Sequence, residues 1–92
     1  MAGPEASIEK YLLKRATEAG ALVRKVQWVG HNHAPDRLIM TPARTIWVEL
    51  KAPGKIAAPG QAREHKRMRE HGQEVYVVDS RDAVDQLIKR IK

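Results

Sequence analysis

Thr45-Ile46-Trp47-Val48-Glu49-Leu50-Lys51 decides the reading of this chain. β-branched and aromatic residues fill the stretch, and its apolar positions alternate with others, which is the pattern of a strand. Ile46, Val48 and Leu50 fall on one face; Thr45, Trp47, Glu49 and Lys51 fall on the other. Residues two apart on a strand point the same way, roughly 7 Å apart, so an acid and a base project together. The next residues, Ala52-Pro53-Gly54-Lys55-Ile56-Ala57-Ala58-Pro59-Gly60, break the strand. Glu49 and Lys51 therefore stand at a strand end, beside a loop.

Upstream, Arg37 to Met40 reads as a strand, joined to Thr45 by the turn Thr41-Pro42-Ala43-Arg44. Leu22 to Val29 reads as a further strand. Ser7 suits the N-cap of a helix from about Ile8 to Ala19, with Ile8, Leu12 and Ala16 as its buried stripe and Gly20 as its stop. Downstream, Gln61 to His71 reads as a helix ended by Gly72. Val75 to Val78 suits a buried central strand. Ser80 caps a last helix in which Val84, Leu87, Ile88 and Ile91 share one face. The order is α-β-β-β-α-β-α. Short links make the first three strands antiparallel. The helical link makes the third and fourth parallel through a right-handed crossover. The expected class is α/β (α+β): a mixed four-stranded sheet flanked by helices, forming one domain over residues 1–92.

Composition narrows the chemistry. The chain has 92 residues with 17 Lys+Arg against 11 Asp+Glu, and the difference gives +6. An apolar content of 42% supports one modest core, built from aliphatic residues because Phe is absent. Cys is also absent, which excludes disulfide scaffolds, thiolate zinc sites and thiol catalysis. The apolar runs are too short to span a membrane, and no basic-then-apolar segment opens the sequence, so a cytoplasmic location is expected. The positive excess favours a polyanionic partner such as nucleic acid.

If the second and third strands pair as a hairpin, Asp36 comes to lie beside Glu49 and Lys51. Asp36, Glu49 and the backbone carbonyl of Leu50 then offer oxygen ligands to a hard divalent cation. Lys51 beside them can orient or deprotonate a water, or stabilise phosphate charge. Taken alone, Pro-Asp and Glu-x-Lys are common, and a solvated strand end would carry the same residues.

Ile8-Glu9-Lys10-Tyr11-Leu12, Pro35-Asp36-Arg37-Leu38, Val48-Glu49-Leu50-Lys51-Ala52-Pro53-Gly54, Gln61 and Val75-Tyr76-Val77-Val78-Asp79-Ser80 follow in that order. The ordered set resembles a stand-alone VRR-NUC domain of the phage type, within the PD-(D/E)XK nuclease superfamily. The resemblance covers the chain from about Ile8 to Ile88. It implies a restriction-endonuclease-like core and a nuclease using Mg or Mn. It makes Asp36 and Glu49 metal ligands and Lys51 the catalytic lysine. Glu9 becomes the acid that the first helix sends toward the metal, as a further ligand or catalytic group. Gln61 becomes a contact to the site or to the attacking water. The sequence departs from the family just before Pro35, where His33 and Ala34 replace a glycine and a branched apolar residue. Free-standing domains of this type are often phage-encoded and compared with Holliday junction resolvases. Branched or double-stranded DNA is the implied substrate, with a homodimer to place two sites. No nucleotide cofactor and no membrane partner are implied.

Lys10, Lys14, Lys55, Arg63, Lys66 and Arg67 are the candidate contacts to a phosphate backbone, although charged helix faces are more often simply solvated. Trp47 is expected to pack under the first helix or in a dimer contact. His31-Asn32-His33 reads as an exposed loop. His65 and His71, six apart, share no helical face and suggest no metal site. The rival readings are a basic nucleic-acid-binding module without catalysis, and a small structural protein of a ribonucleoprotein.

Overall fold

The structure, a computed structural model, describes residues 3–92. Helix α1 spans Pro4–Glu18 and buries Ile8, Leu12 and Ala16. It starts earlier than Ser7 indicates. Gly3 is the extended N-cap and Pro4 supplies a pre-set first helical φ, while the Ser7 amide already donates to the Gly3 carbonyl at 3.1 Å. Gly20, at φ 86°, ends the helix in the left-handed conformation that glycine adopts without strain.

Strand β1 covers Leu22–Lys25 only, not the run to Val29. Its partner strand β2, Arg37–Met40, follows Pro35, which has no N–H to extend the ladder. Val26 still donates to the Asp36 carbonyl at 3.1 Å, and the chain then leaves the sheet. Strand β3 is Thr45–Leu50, antiparallel to β2 in the register Arg37↔Val48, Leu38↔Trp47 and Ile39↔Ile46. Helix α2, Pro59–Glu70, also begins at a proline, two residues ahead of Gln61. Strand β4, Glu74–Val78, runs parallel to β3. Helix α3, Arg81–Ile91, opens as expected on Ser80, whose hydroxyl accepts from the Ala83 amide at 3.0 Å.

The four strands lie in chain order, β1-β2-β3-β4. That order places β4 at an edge, a correction to the central position its apolar run suggested. Helices cover part of it: Val75 and Val78 are buried, while Val77 is 39% exposed. Ile39, Ile46, Val48 and Leu50 form the buried sheet face with Ile8, Leu12 and Ala16 of α1 and Val84, Leu87 and Ile88 of α3. Tyr11 ties α1 to α3 by donating to Asp85 at 2.7 Å. Alternation turns Trp47, Glu49 and Val75 to the opposite face, which α2 covers with His65 and Met68. Among the described residues no helix is long and apolar enough to cross a membrane.

The Ser80 cap gives a direct check on these assignments. Ser80→Ala is expected to destabilise the fold by about 1 kcal/mol, read as a lower urea midpoint at unchanged slope.

Candidate active site

Two carboxylates meet where β2 begins and β3 ends. Asp36 precedes β2, and its Oδ2 accepts the Leu50 amide at 2.7 Å. That bond holds the carboxylate across the strand end, and the hairpin register supplies it. Glu49 points under α2 and is 3% exposed. Its Oε1 lies 3.3 Å from His65 Nε2, and its Oε2 accepts from Gln61 Nε2 at 3.4 Å. Burial, and then the hydrogen bond and charge of Asp36, push the Glu49 carboxyl up to about 8, against the opposing pull of Lys51. Burial chiefly, with Arg69 and Lys51 adding, pushes the His65 imidazole below its ordinary range. It is therefore a neutral neighbour that cannot discharge the carboxylates at pH 7.

A buried carboxyl held high by burial and by a neighbouring carboxylate is a site suited to a cation, whose charge would offset both. The donors are all hard oxygens: Asp36, Glu49 and the Leu50 carbonyl. Among the described residues no three His, Asp or Glu side chains converge on one point. A bound ion would thus keep several positions for water or phosphate oxygen, which is the habit of magnesium. Cysteine, the ligand of softer metals, is absent from the chain.

The structure brings most of the expected residues to this point. Lys51 follows Leu50 and is one of the charges acting on Glu49. Gln61, in the first turn of α2, is held at both ends: its Oε1 accepts from the Ala58 amide at 2.9 Å while its Nε2 meets Glu49. Glu9 is not brought there. It pairs with Arg37 Nε at 2.8 Å. Arg37 is opposite Val48 and faces α1, so Glu9 is engaged on the other side of the sheet from Glu49. The α1 acid whose charge reaches Glu49 is Glu5, in the first helical turn.

Lys10, Lys14, Lys55, Arg63 and Lys66 are exposed and form no ion pair among the described residues. Arg67 is partly spent, because its Nη2 and Nε hold Glu64 Oε1 at 2.9 and 3.1 Å. Two residues of this region escape a reading of the sequence by motif. His65 carries a usable signal, since it lies four residues after Gln61 and so on the same helix face. Glu64 carries none: its buried carboxylate accepts from Trp28 Nε1 at 2.7 Å and meets His31 at 3.4 Å, contacts that only the fold creates. Trp47 packs on the α2 side rather than under α1. Its ring lies 5.6 Å from that of Trp28 at 57°, and its Nε1 donates to Gln73 at 2.9 Å.

His33 has φ 70°, the one left-handed non-glycine among the described residues. Its ring lies over Gly60, where an added Cβ would stand 2.4 Å from Nε2. The segment between β1 and β2 is thereby latched to α2 twice, by His33 on Gly60 and by Trp28 on Glu64. Glu64→Ala is expected to cost about 1–2 kcal/mol and to red-shift tryptophan emission, because Trp28 loses the acceptor of its part-buried N–H.

No family model matches the chain. It is 42% identical over 79 residues to "Putative nuclease p44" of Acyrthosiphon pisum secondary endosymbiont phage 1, a match covering 85% of each chain. A solved structure described as "VRR_NUC domain" superposes with a TM-score of 0.91 at 38% identity, over 99% of this chain and 100% of the other.

Proposed function

The chain belongs to the VRR_NUC domain family, and we propose that it is a divalent-metal-dependent endonuclease that hydrolyses phosphodiester bonds in DNA. The observation that carries this reading is the pair of neighbouring carboxylates Asp36 and Glu49 at a strand end, with Lys51 and Gln61 beside it. A module that only held DNA would gain nothing from two carboxylates facing phosphate.

A divalent cation, Mg or Mn, held by Asp36, Glu49 and the Leu50 carbonyl would neutralise phosphate charge and make water more acidic. The protein's own groups do the rest. The Leu50 amide orients Asp36, and His65 and Gln61 orient Glu49. Lys51 places its ammonium where charge builds on the phosphate, or orients the attacking water. Glu5 adds negative charge at the same end of α1. The unpaired Lys10, Lys14, Lys55, Arg63 and Lys66 hold the phosphate backbone and make binding salt-sensitive. Branched substrates such as four-way junctions or flaps suit a small protein acting as a two-fold homodimer, in which two sites face two strands.

The test is cleavage of linear, flapped and four-way DNA with Mg, Mn or EDTA. The expected result is product with either metal and none in EDTA. Absence of metal-dependent product on all three substrates overturns the nuclease reading. Sedimentation of the free protein decides the dimer.

A further inference from the structure

We propose that Trp28 is a stacking platform for an unpaired DNA base next to the bond being cut, a subsite that rests on the nuclease reading above. The segment carrying it, between β1 and β2, does no work in the core. It is nevertheless latched in place. Glu64 is 8% exposed and accepts the Trp28 N–H, and its remaining capacity is taken by Arg67 and His31. The Trp47 N–H is likewise satisfied by Gln73. Both indoles have their polar atom occupied, so what they still offer a partner is ring surface.

That surface lines open space. Trp28 borders three adjoining clefts of about 300 to 400 Å³. One is apolar, between Trp28, Trp47 and Met68. Another is polar, formed by Asn32, His33 and Gln61. Through Gln61 the polar cleft adjoins Glu49. From the apolar cleft, Trp47 lies two residues along β3 from Glu49 on the same face, roughly 7 Å away. A nucleotide adjacent to the scissile phosphate can thus lay its backbone in the polar cleft and its base against Trp28.

Three observations favour a base over a protein occupant. The apolar cleft is bordered by a cation, the half-exposed Arg67 of α2. The carboxylate in the groove is neutralised internally, so nothing there repels phosphate. Val29, the next residue, is 98% exposed and packs on nothing among the described residues, as an apolar contact to an unstacked base would require. The left-handed His33 fits the same account. Backbone strain is retained where a site must be held in shape, and here it seats the loop on Gly60.

The chain contains two tryptophans, Trp28 and Trp47, so its indole fluorescence reports on this groove alone. The experiment titrates the full chain with a short oligothymidine in EDTA at low salt, beside an oligomer carrying abasic sites. The expected result is quenching by oligothymidine, and binding about tenfold weaker, without quenching, by the abasic oligomer. Trp28→Leu should weaken binding about tenfold, and Trp28→Phe, which keeps an aromatic face, should retain most of it. Trp47→Phe leaves Trp28 as sole reporter and should still quench. Equal quenching and affinity for the abasic oligomer overturn the proposal, as does unchanged binding by Trp28→Leu. Quenching that grows with protein concentration without DNA would show a second copy in the groove and also overturn it. Quenching in EDTA together with no cleavage in Mg or Mn would sink the nuclease reading and leave the platform standing. Cleavage without base-dependent quenching would do the reverse.

Discussion

Lys51→Ala and Asp36→Asn are each expected to lower the cleavage rate by about 10²–10³-fold or more, with circular dichroism and DNA binding largely retained. The two substitutions remove different things. Asp36→Asn keeps an oxygen able to accept the Leu50 amide, so the bond at 2.7 Å that closes the strand end survives. What it removes is one negative charge from the pair that would hold the cation, and its defect should be partly relieved by raising the metal concentration. Lys51→Ala removes a positive charge acting at Glu49. Its defect should not yield to metal if, as proposed, the lysine acts on phosphate or water rather than on the cation. Lys51→Arg keeps the charge but not the compact ammonium, and should recover only part of the rate. Single-turnover cleavage at several metal concentrations reads both effects. Parent-like rates for both substitutions would remove these residues from the chemistry.

The second large effect is on stability, and its sign follows from Glu49. The folded carboxyl sits at about 8 against an ordinary value of 4.5. A raised carboxyl favours the fold while it is protonated. Its contribution is complete below the ordinary value and is lost as pH rises through the folded value. In EDTA the protein should therefore lose about 1–2 kcal/mol between pH 6.5 and 8.5, or about 5–10 °C of Tm. His65 does not confuse this window: its depressed imidazole costs stability only as pH falls below its ordinary range. Glu64 and Glu74, held low by Arg67 and Arg44 among other partners, lose theirs in acid. Glu49→Gln should abolish the slope above pH 6.5. Saturating Mg should also flatten it, since a cation beside Glu49 favours the ionised carboxylate, and the Mg-induced rise in Tm should grow with pH. A Tm in EDTA that is level from pH 6.5 to 8.5 would contradict the arrangement at Glu49.

Local pattern carried the parts of the fold that local forces determine. The alternation of Thr45 to Leu50 gave β3 to the residue, because one of its faces is a core and its period is two. Ser80 gave the start of α3 by the same logic, since its cap bond spans three residues. Errors arose where two local signals competed or where a distant partner decided. Ser7 is a good cap, but Gly3-Pro4 lies upstream and wins. Val26 to Val29 has strand-like residues, yet Pro35 denies them a partner. The run Val75 to Val78 reads as central because it is continuously apolar, but only Val75 and Val78 are buried, and Val77 is left exposed at the sheet edge.

The site divides the same way. Asp36, Glu49, Leu50, Lys51 and Gln61 were legible, because one hairpin and one helix start bring them together. The resemblance sends Glu9 toward the metal, whereas the structure pairs it with Arg37 on the other sheet face, a long-range contact that no local pattern shows. The link from Trp28 to Glu64 joins residues 36 apart in sequence and leaves no pattern to read.

The bond from the Leu50 amide to Asp36 also bears on how the molecule comes into being. Asp36 reaches that amide only when β2 and β3 have paired in their final register. A slip of one position would turn its side chain to the opposite face and dissolve the pair with Glu49. A newly made chain that has mispaired its hairpin therefore lacks the carboxylate pair. The proposed centre arises with correct assembly of the hairpin and not before it.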